Sequence, residues 1–210
     1  PSSRLRNETS SHVVEFISFL ASKGIVEGNI VDLGCGYGKD ARTFAQHGFF
    51  VHACDISDIA LSVARKEAEK ESLADKIEFS LADVSVPWGY SDNFFDAAFD
   101  GTTFINLVAE DEINNYLSEL QRTLKKQAYG RIVTPVLPDE FYQKLHNEQR
   151  SRTVVCPSGI TQRTYTPEEI ATLLQKHFVI QSVMPIQKRN KMYGKEYTRC
   201  LVRITFQNEK

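Results

Sequence analysis

The chain has 210 residues, of which 41% are hydrophobic and 25% are charged. A chain of this length buries roughly 70% of the surface that it exposes when unfolded, so it forms a core without disulfide or metal staples. Its 25 Lys and Arg residues nearly balance its 27 Asp and Glu residues, and the formal net charge is -2. Proteins that bind a nucleic-acid backbone usually carry a basic stripe, so this balance argues against nucleic acid as a partner.

The cysteine pattern predicts a reducing compartment. Cys35, Cys54, Cys156 and Cys200 stand far apart, with no Cys-x-x-Cys pair and no nearby His spacing. This pattern is typical of neither a zinc site nor a disulfide framework, so we predict no metal. No apolar run reaches the roughly 18 residues of a membrane span, and the first residues lack the basic-then-apolar order of a signal peptide. We therefore predict a cytoplasmic protein that does not enter a membrane.

Short apolar runs alternate with segments of helical period, which is the layout of a parallel sheet covered by helices on both faces. In the first half of the chain, the predicted elements are a helix over 10–22, a strand over 29–33, a helix over 39–47, a strand over 49–54, a helix over 57–71 and a strand over 76–81. Gly34 and Gly48 mark two of the turns between these elements.

The second half continues the alternation and ends differently. Its predicted elements are a strand over 94–99, a helix around 113–124, a strand over 130–136, a small hairpin of 153–156 with 161–165 outside the main sheet, a helix over 166–177, and strands over 179–186 and 198–206. We expect the last two strands to pair antiparallel, separated by the basic stretch 187–195. The pattern predicts one α/β domain.

A glycine-rich turn joins the first strand to the second helix. Its sequence, Asp-Leu-Gly-Cys-Gly-Tyr-Gly over 32–38, lets a ligand lie against bare backbone beside a helix N-terminus. Carboxylates also follow the predicted strands, as Asp32, Asp55, Asp83 and Asp100. Because parallel strands bring their carboxyl ends to one edge of a sheet, we expect all four to border one crevice. Such a crevice suits a cationic ligand better than a pyrophosphate.

The order of these motifs resembles the class I S-adenosylmethionine-dependent methyltransferases. The motifs are Asp-Leu-Gly-Cys-Gly-Tyr-Gly, Ala-Cys-Asp-Ile-Ser, Leu-Ala-Asp-Val and Phe-Phe-Asp-Ala-Ala-Phe-Asp, and the resemblance covers about residues 29–136. It implies a Rossmann-like α/β fold with a doubly wound, mostly parallel, seven-stranded sheet whose last strand is antiparallel. It also implies S-adenosyl-L-methionine as cofactor and S-adenosyl-L-homocysteine as product. The short chain and the segment 163–169 resemble the thiopurine and tellurite-resistance types.

The resemblance assigns residues to each end of the cofactor. Those at its methionine end are Asp32 near the ammonium group, Gly34, Cys35 and Gly36 along the backbone, and Asp100 and Gly101 beneath the methionine part. Those at its nucleoside end are Asp55 on the ribose hydroxyls, Ile56 beside the adenine ring, and Asp83 and Val84 at the adenine edge.

The acceptor is predicted by elimination. Families that methylate nucleobase amino groups carry Asn or Asp, then Pro-Pro and an aromatic residue, after the fourth strand, whereas this chain has Asp-Gly-Thr-Thr-Phe over 100–104. We predict a small-molecule acceptor, methylated by in-line displacement, with no catalytic side chain assigned. Phe104, Asn106, Arg163 and Tyr165 are the candidate acceptor residues, and the Arg163 guanidinium suits a carboxylate or phosphate.

We divide the single domain into four segments. They are a helical lid over 1–28, a cofactor-binding core over 29–136, an insertion facing the acceptor over 137–165, and a closing helix with antiparallel strands over 166–210. Three alternatives stay open, namely a protein or RNA methyltransferase, a non-catalytic cofactor-binding module and a nicotinamide-dependent dehydrogenase. The sequence indicates no oligomeric state.

Overall fold

Buried strands and amphipathic helices build a layered α/β arrangement in the computed structural model, which describes residues 10–149 and 151–210. The main sheet contains β1 (Gly28–Leu33), β2 (Phe49–Asp55), β3 (Ile77–Leu81), β4 (Phe95–Gly101), β5 (Leu124–Pro135), β8 (Val179–Met192) and β9 (Lys195–Gln207). A separate hairpin contains β6 (Thr153–Val155) and β7 (Thr161–Arg163). The helices are α1 (Ser11–Ser22), α2 (Lys39–Gln46), α3 (Asp58–Lys70), α4 (Glu110–Thr123), α5 (Glu140–Gln149) and α6 (Pro167–Gln175).

The strands of the main sheet lie in the order β3-β2-β1-β4-β5-β9-β8. Neighbours among β1 to β5 pair in parallel, and β9 pairs antiparallel with both β5 and β8. This confirms the predicted α/β fold with a mostly parallel, seven-stranded sheet and an antiparallel last strand. From β1 the strands are added toward one edge of the sheet, as far as β3, and from β4 they are added toward the other edge. Open parallel sheets bind ligands at such a switch point, which here lies between β1 and β4.

Each face of the sheet is covered by helices. Helices α1, α2 and α3 cover one face, where Phe16, Phe44 and Phe99 form part of a fully buried cluster. Helices α4, α5 and α6 cover the other face, with Leu117 and Ile170 among its buried residues. Burial of each such side chain contributes roughly 1.5–3 kcal/mol relative to exposure. No helix in the described ranges is both long and apolar enough to cross a membrane.

Helix α1 belongs to the core. Its residues Val13, Phe16 and Leu20 recur at helical spacing and are completely buried against the sheet. The predicted lid over 1–28 therefore contains a helix whose displacement would expose three apolar side chains. Residues 1–9 of that segment lie outside the described residues.

Helix α5 is absent from the predicted elements. It begins after Asp139, whose buried carboxylate accepts hydrogen bonds from the backbone N–H groups of Phe141 and Tyr142 at 3.0 and 3.2 Å, as an N-cap does. Phe141, Tyr142 and Leu145 then pack into the core. An Asp directly after Pro138, followed by apolar residues at helical spacing, is the sequence signal that indicates this helix.

The basic stretch 187–195 is mostly strand, which corrects the predicted extent of the last two strands. The β8–β9 ladder continues to the Met192–Lys195 pair, and Tyr193 and Gly194 make the turn with positive φ angles of 47° and 82°. The rings of Tyr193 and Tyr197 lie 5.6 and 5.5 Å from that of Phe141. Helix α5 thus supports the extended hairpin through contacts that strand patterning does not reveal.

Candidate functional site

A cleft of about 520 Å³ lies beyond the carboxyl ends of β1 to β4. Of the predicted cofactor residues, it is lined by Gly34, Asp55, Ile56, Asp83 and Val84. The side chain of Ile56 is 74% exposed, so an apolar surface stands free beside the carboxylate of Asp55. The strand topology therefore brings the three loops together at one edge of the sheet.

The glycine-rich turn holds a shape that side chains would obstruct. Gly34 has φ 69°, and a Cβ there would overlap the Oγ1 atom of Thr103. That hydroxyl donates a hydrogen bond to the Leu33 carbonyl at 2.9 Å, which ties the loop after β4 to the end of β1. Gly36 has φ 54°, and a Cβ there would meet nothing within 4 Å. Its backbone therefore faces open space.

Asp55 organises the cleft from the end of β2. Its Oδ2 atom accepts a hydrogen bond from the backbone N–H of Gly36, and its Oδ1 atom accepts one from Ser57, both at 2.8 Å. A carboxylate oxygen has about two acceptor positions, so each oxygen keeps capacity for a further donor. The half-buried carboxylate is thus held in place with its remaining lone pairs available in the cleft.

Asp32 is an unsatisfied acceptor at the end of β1. It is 2% exposed, and its Oδ2 atom has no hydrogen-bond partner among the described residues. Burial raises the pKa of Asp32 well above its usual range, and the charges of Asp40, Asp100 and Asp55 raise it further. A buried carboxylate among other carboxylates is the environment that favours a bound cation.

Both carboxylate oxygens of Asp100 accept hydrogen bonds from other groups of the protein. It is 1% exposed, and it accepts hydrogen bonds from the Thr103 backbone N–H at 2.7 Å and from the Tyr116 hydroxyl at 2.8 Å. Burial raises the pKa of Asp100 to about 6, although these hydrogen bonds oppose the shift. Asp100 lies behind Thr103, which lines the cleft, and Gly101 follows it at the end of β4.

We expect the Asp100→Asn variant to be more stable than the wild type near pH 7 and similarly stable near pH 4. The pKa of folded Asp100 is about 6, against about 4 in the unfolded chain, so the folded state binds the proton more tightly. Stability is therefore gained as the pH falls through 6 and lost as it rises, by roughly 3 kcal/mol in total. Asn keeps an acceptor for Thr103 and does not titrate.

Urea unfolding at both pH values measures this effect. The exposed Asp75→Asn variant is the control, and it should match the wild type at each pH. An Asp100→Asn variant whose advantage does not change with pH would show that burial of the charge has no part in it.

One of the four predicted acceptor residues, Asn106, lines the cleft. Phe104 is fully buried, with its ring centroid 5.6 Å from those of both Tyr116 and Tyr165, and Tyr165 is 2% exposed. Arg163 lies at a separate surface pocket beside α6, with its guanidinium 5.4 Å from the Tyr165 ring. The predicted residues Phe104, Arg163 and Tyr165 do not line this cleft. The loop after β4 turns Phe104 into the core, and Tyr165, which follows β7, packs against it there.

The β6–β7 hairpin supplies cleft residues that sequence reasoning missed. Ile160 and Thr161 line the cleft, and Ile160 is 52% exposed. The hairpin is fastened to the loop after β4, since the Gln162 side-chain amide donates to Asn106 Oδ1 at 2.8 Å. Gln162 in turn accepts a hydrogen bond from the Tyr142 hydroxyl at 2.7 Å. The Pro-Ser-Gly turn predicts the hairpin, but not where it packs.

Thr102 carries backbone strain at the cleft. It has φ 85°, in the left-handed region that β-branched residues avoid. Such a conformation costs roughly 1–3 kcal/mol and persists only where the surrounding structure imposes it, often at functional sites. Here the hydrogen bonds of Thr103 to Asp100 and Leu33 impose it, and Thr102 lines the cleft.

Cys35 has no reactive thiol. Burial raises the pKa of the Cys35 thiol, and the charge of Asp32 raises it further, so the thiol stays protonated at neutral pH. Its predicted role through the backbone needs no thiolate. Over residues 10–149 and 151–210, no group of three His, Cys, Asp or Glu side chains is arranged to hold a metal ion.

Comparison with known proteins identifies the central part of the chain. Residues 30–127 match a protein family described as "Methyltransferase domain". The chain is similar to methyltransferase GfsG of Streptomyces halstedii, at 31% identity over 106 residues, which are 50% of this chain and 37% of that protein. It is also similar to release factor glutamine methyltransferase of Dictyoglomus turgidum, at 27% identity over 151 residues, 71% of this chain and 51% of that protein. The chain spans about half or less of the length of these curated relatives.

The fold is shared with solved structures. A SAM-dependent methyltransferase from Methanosarcina mazei superposes with a TM-score of 0.74 and 23% identity, covering 87% of this chain and 93% of that one. The chain has the fold of the class I S-adenosylmethionine-dependent methyltransferases. Residues 30–127 carry a methyltransferase domain, which confirms the resemblance of the motifs and S-adenosylmethionine as the cofactor. The thiopurine and tellurite-resistance subgroup stays a prediction.

Proposed function

We propose that this protein transfers a methyl group from S-adenosylmethionine to a small-molecule acceptor bound in the same cleft. The observation that supports this most is the division of the cleft into two walls. One wall comes from the loops after β1, β2 and β3, and the other from the loop after β4, the start of α4 and the β6–β7 hairpin. In this proposal, the segment 29–136 carries the cofactor and the insertion 137–165 faces the acceptor.

The residues present fit the cofactor. When bound, S-adenosylmethionine supplies an electrophilic methyl group on a positively charged sulfur. Asp55 would hold the ribose hydroxyls, since each of its oxygens has capacity beyond its backbone hydrogen bond. Ile56 would cover the adenine ring, and Asp83 and Val84 would lie at its edge. The open backbone at Gly36 supports a close approach of the ligand there.

The second wall of the cleft, from the loop after β4, the start of α4 and the β6–β7 hairpin, is suited to orienting an acceptor more than to base catalysis. The cleft is lined by the carboxylates of Asp55, Asp83 and Glu112, but by no His, Lys, Arg or Cys of the part of the chain that the structure describes. Glu112 accepts hydrogen bonds from the backbone N–H groups of Val108 and Ala109, so it caps α4. Alignment of the two reacting groups alone lowers the activation barrier of a displacement by about 7–11 kcal/mol. We propose an in-line displacement on an acceptor that brings its own nucleophile.

The charges of the cleft support a neutral or cationic acceptor. Its three ionisable side chains are acidic, and the one predicted anion anchor, Arg163, lies at a different pocket. A second candidate is a protein acceptor, since one relative is a release factor glutamine methyltransferase that aligns with 71% of this chain. Nucleic acid is disfavoured by the net charge of -2.

Transfer of labelled methyl groups distinguishes these acceptors. We expect label from S-adenosylmethionine to stay soluble when the protein is incubated with the small-molecule fraction of a cell extract. Label that precipitates from the macromolecule fraction instead would indicate a protein or RNA acceptor. Tight cofactor binding without transfer in either fraction would favour a binding module, and binding of NAD but not S-adenosylhomocysteine would overturn the assignment.

A cytoplasmic location is part of the same proposal. Cys35, Cys54, Cys156 and Cys200 are all free, and free thiols persist where the surroundings are reducing. Localisation of a tagged protein by cell fractionation tests it.

A further inference from the structure

We propose that Asp40 and Asp32 together hold the α-ammonium group of the methyl donor. This adds a cofactor-binding residue, Asp40, that the motif series does not indicate. It rests on the proposed function, because it concerns the same cofactor.

Asp40 lies where β1 and β4 end side by side. It belongs to the first turn of α2, directly after the glycine-rich turn. A Cβ placed on Gly101 would lie 3.4 Å from Asp40 Oδ2. Asp32 is paired with Phe99 across the β1–β4 ladder, two residues before Gly101. After burial, the charge of Asp40 is the largest influence on Asp32, so the two carboxylates are close.

These two carboxylates differ from the others at the sheet edge. Asp55 and Asp100 each accept two hydrogen bonds from the protein. Asp32 Oδ2 has no partner among the described residues. Burial and the charges of Lys39 and Arg42 act on the pKa of Asp40, and no hydrogen bond of the described ranges acts on it. The cation of Lys39 acts on it only through space, and Arg42 is bonded to Glu71 and to the Tyr37 carbonyl.

A bound cation would stabilise two neighbouring carboxylates of this kind. Burial of like charges without a counter-ion is unfavourable, and a bound ammonium group with three N–H donors would relieve it. Both carboxylates lie at the switch point of the sheet, on the side where the motif series expects the methionine part of the donor.

Calorimetry with two ligands tests the proposal. The probes are S-adenosylhomocysteine and its deaminated analogue, in which hydrogen replaces the α-ammonium group. The variant is Asp40→Asn, which keeps the shape and removes the charge. We expect it to weaken S-adenosylhomocysteine binding about 10- to 100-fold, the range for loss of a charged hydrogen bond, and to change binding of the analogue by less than about twofold.

The control is Asp111→Asn, an exposed carboxylate at the same position in the first turn of α4, which should change neither affinity. Equal weakening of both ligands by Asp40→Asn would assign Asp40 a structural role, and no weakening would remove it from the site. Failure of the variant to fold would also overturn the proposal, because it requires that Asp40 has no structural partner. Failure of the wild type to bind S-adenosylhomocysteine would contradict the proposed function itself.

Discussion

Replacement of Asp55 by Ala is expected to weaken S-adenosylhomocysteine binding about 100-fold or more. Hydrogen bonds to a charged group are worth about 1.5–3 kcal/mol each, and two ribose hydroxyls would lose theirs. The same change frees the backbone N–H groups of Gly36 and Ser57, which Asp55 now holds at 2.8 Å. Both effects act on the nucleoside end of the cleft.

Titration calorimetry measures the loss, and a matched ligand separates its two causes. An analogue that lacks both ribose hydroxyls should bind the wild type and the variant with affinities within about fivefold, since the direct contacts are already gone. The Asp83→Ala variant is the control within the protein. Asp83 is exposed and accepts one hydrogen bond, from the Ser85 backbone, so its loss should have a smaller effect. An Asp55→Ala variant with wild-type affinity would remove Asp55 from the cofactor site.

Two glycines of the same turn are expected to respond differently to alanine, one mainly in stability and the other mainly in cofactor affinity. Gly34→Ala should destabilise the fold by roughly 2–5 kcal/mol, because it combines a left-handed backbone with a steric overlap at Thr103. Gly36→Ala should cost only about 1–2 kcal/mol, because no atom lies within 4 Å of the added methyl group. Its larger effect should be on cofactor affinity, since that methyl group would occupy the open space in which we propose that the cofactor approaches the backbone.

Urea unfolding and S-adenosylhomocysteine titration on both variants test this pair. Gly159→Ala is the control, because Gly159 also has a positive φ and open surroundings but lies outside the turn. It should lose about as much stability as Gly36→Ala and keep its cofactor affinity. A Gly36→Ala variant that binds the cofactor normally would show that the ligand does not use this backbone.

The cofactor half of the site was predictable because its parts are local. A strand, a glycine-rich turn and a helix start are contiguous in sequence, and the rule that parallel strands end at one edge gathers the later carboxylates. Gly34, Asp55 and Asp83 accordingly line one cleft. The sequence did not indicate Asp40 as a site residue, because a carboxylate in the first turn of a helix such as α2 is common for its favourable interaction with the helix dipole.

The acceptor half was not predictable, because residue type does not reveal which side chains a loop buries. Phe104 and Tyr165 are equally suited to a pocket wall and to a core. Phe104 packs against Tyr116 and Tyr165 packs against Phe104, so both lie in the core. Ile160 reaches the cleft only because Gln162 bonds to Asn106, a contact between segments 56 residues apart.

By itself, the sequence determined the α/β fold, the class of the domain and the cofactor, since these follow from short-range patterns and from the order of strands. Only the tertiary structure decided which carboxylates keep free oxygens, how far the last hairpin extends and which side chains line the cleft. Those outcomes depend on burial and on contacts between distant segments, because packing of the whole chain selects among side chains that local pattern treats as equivalent.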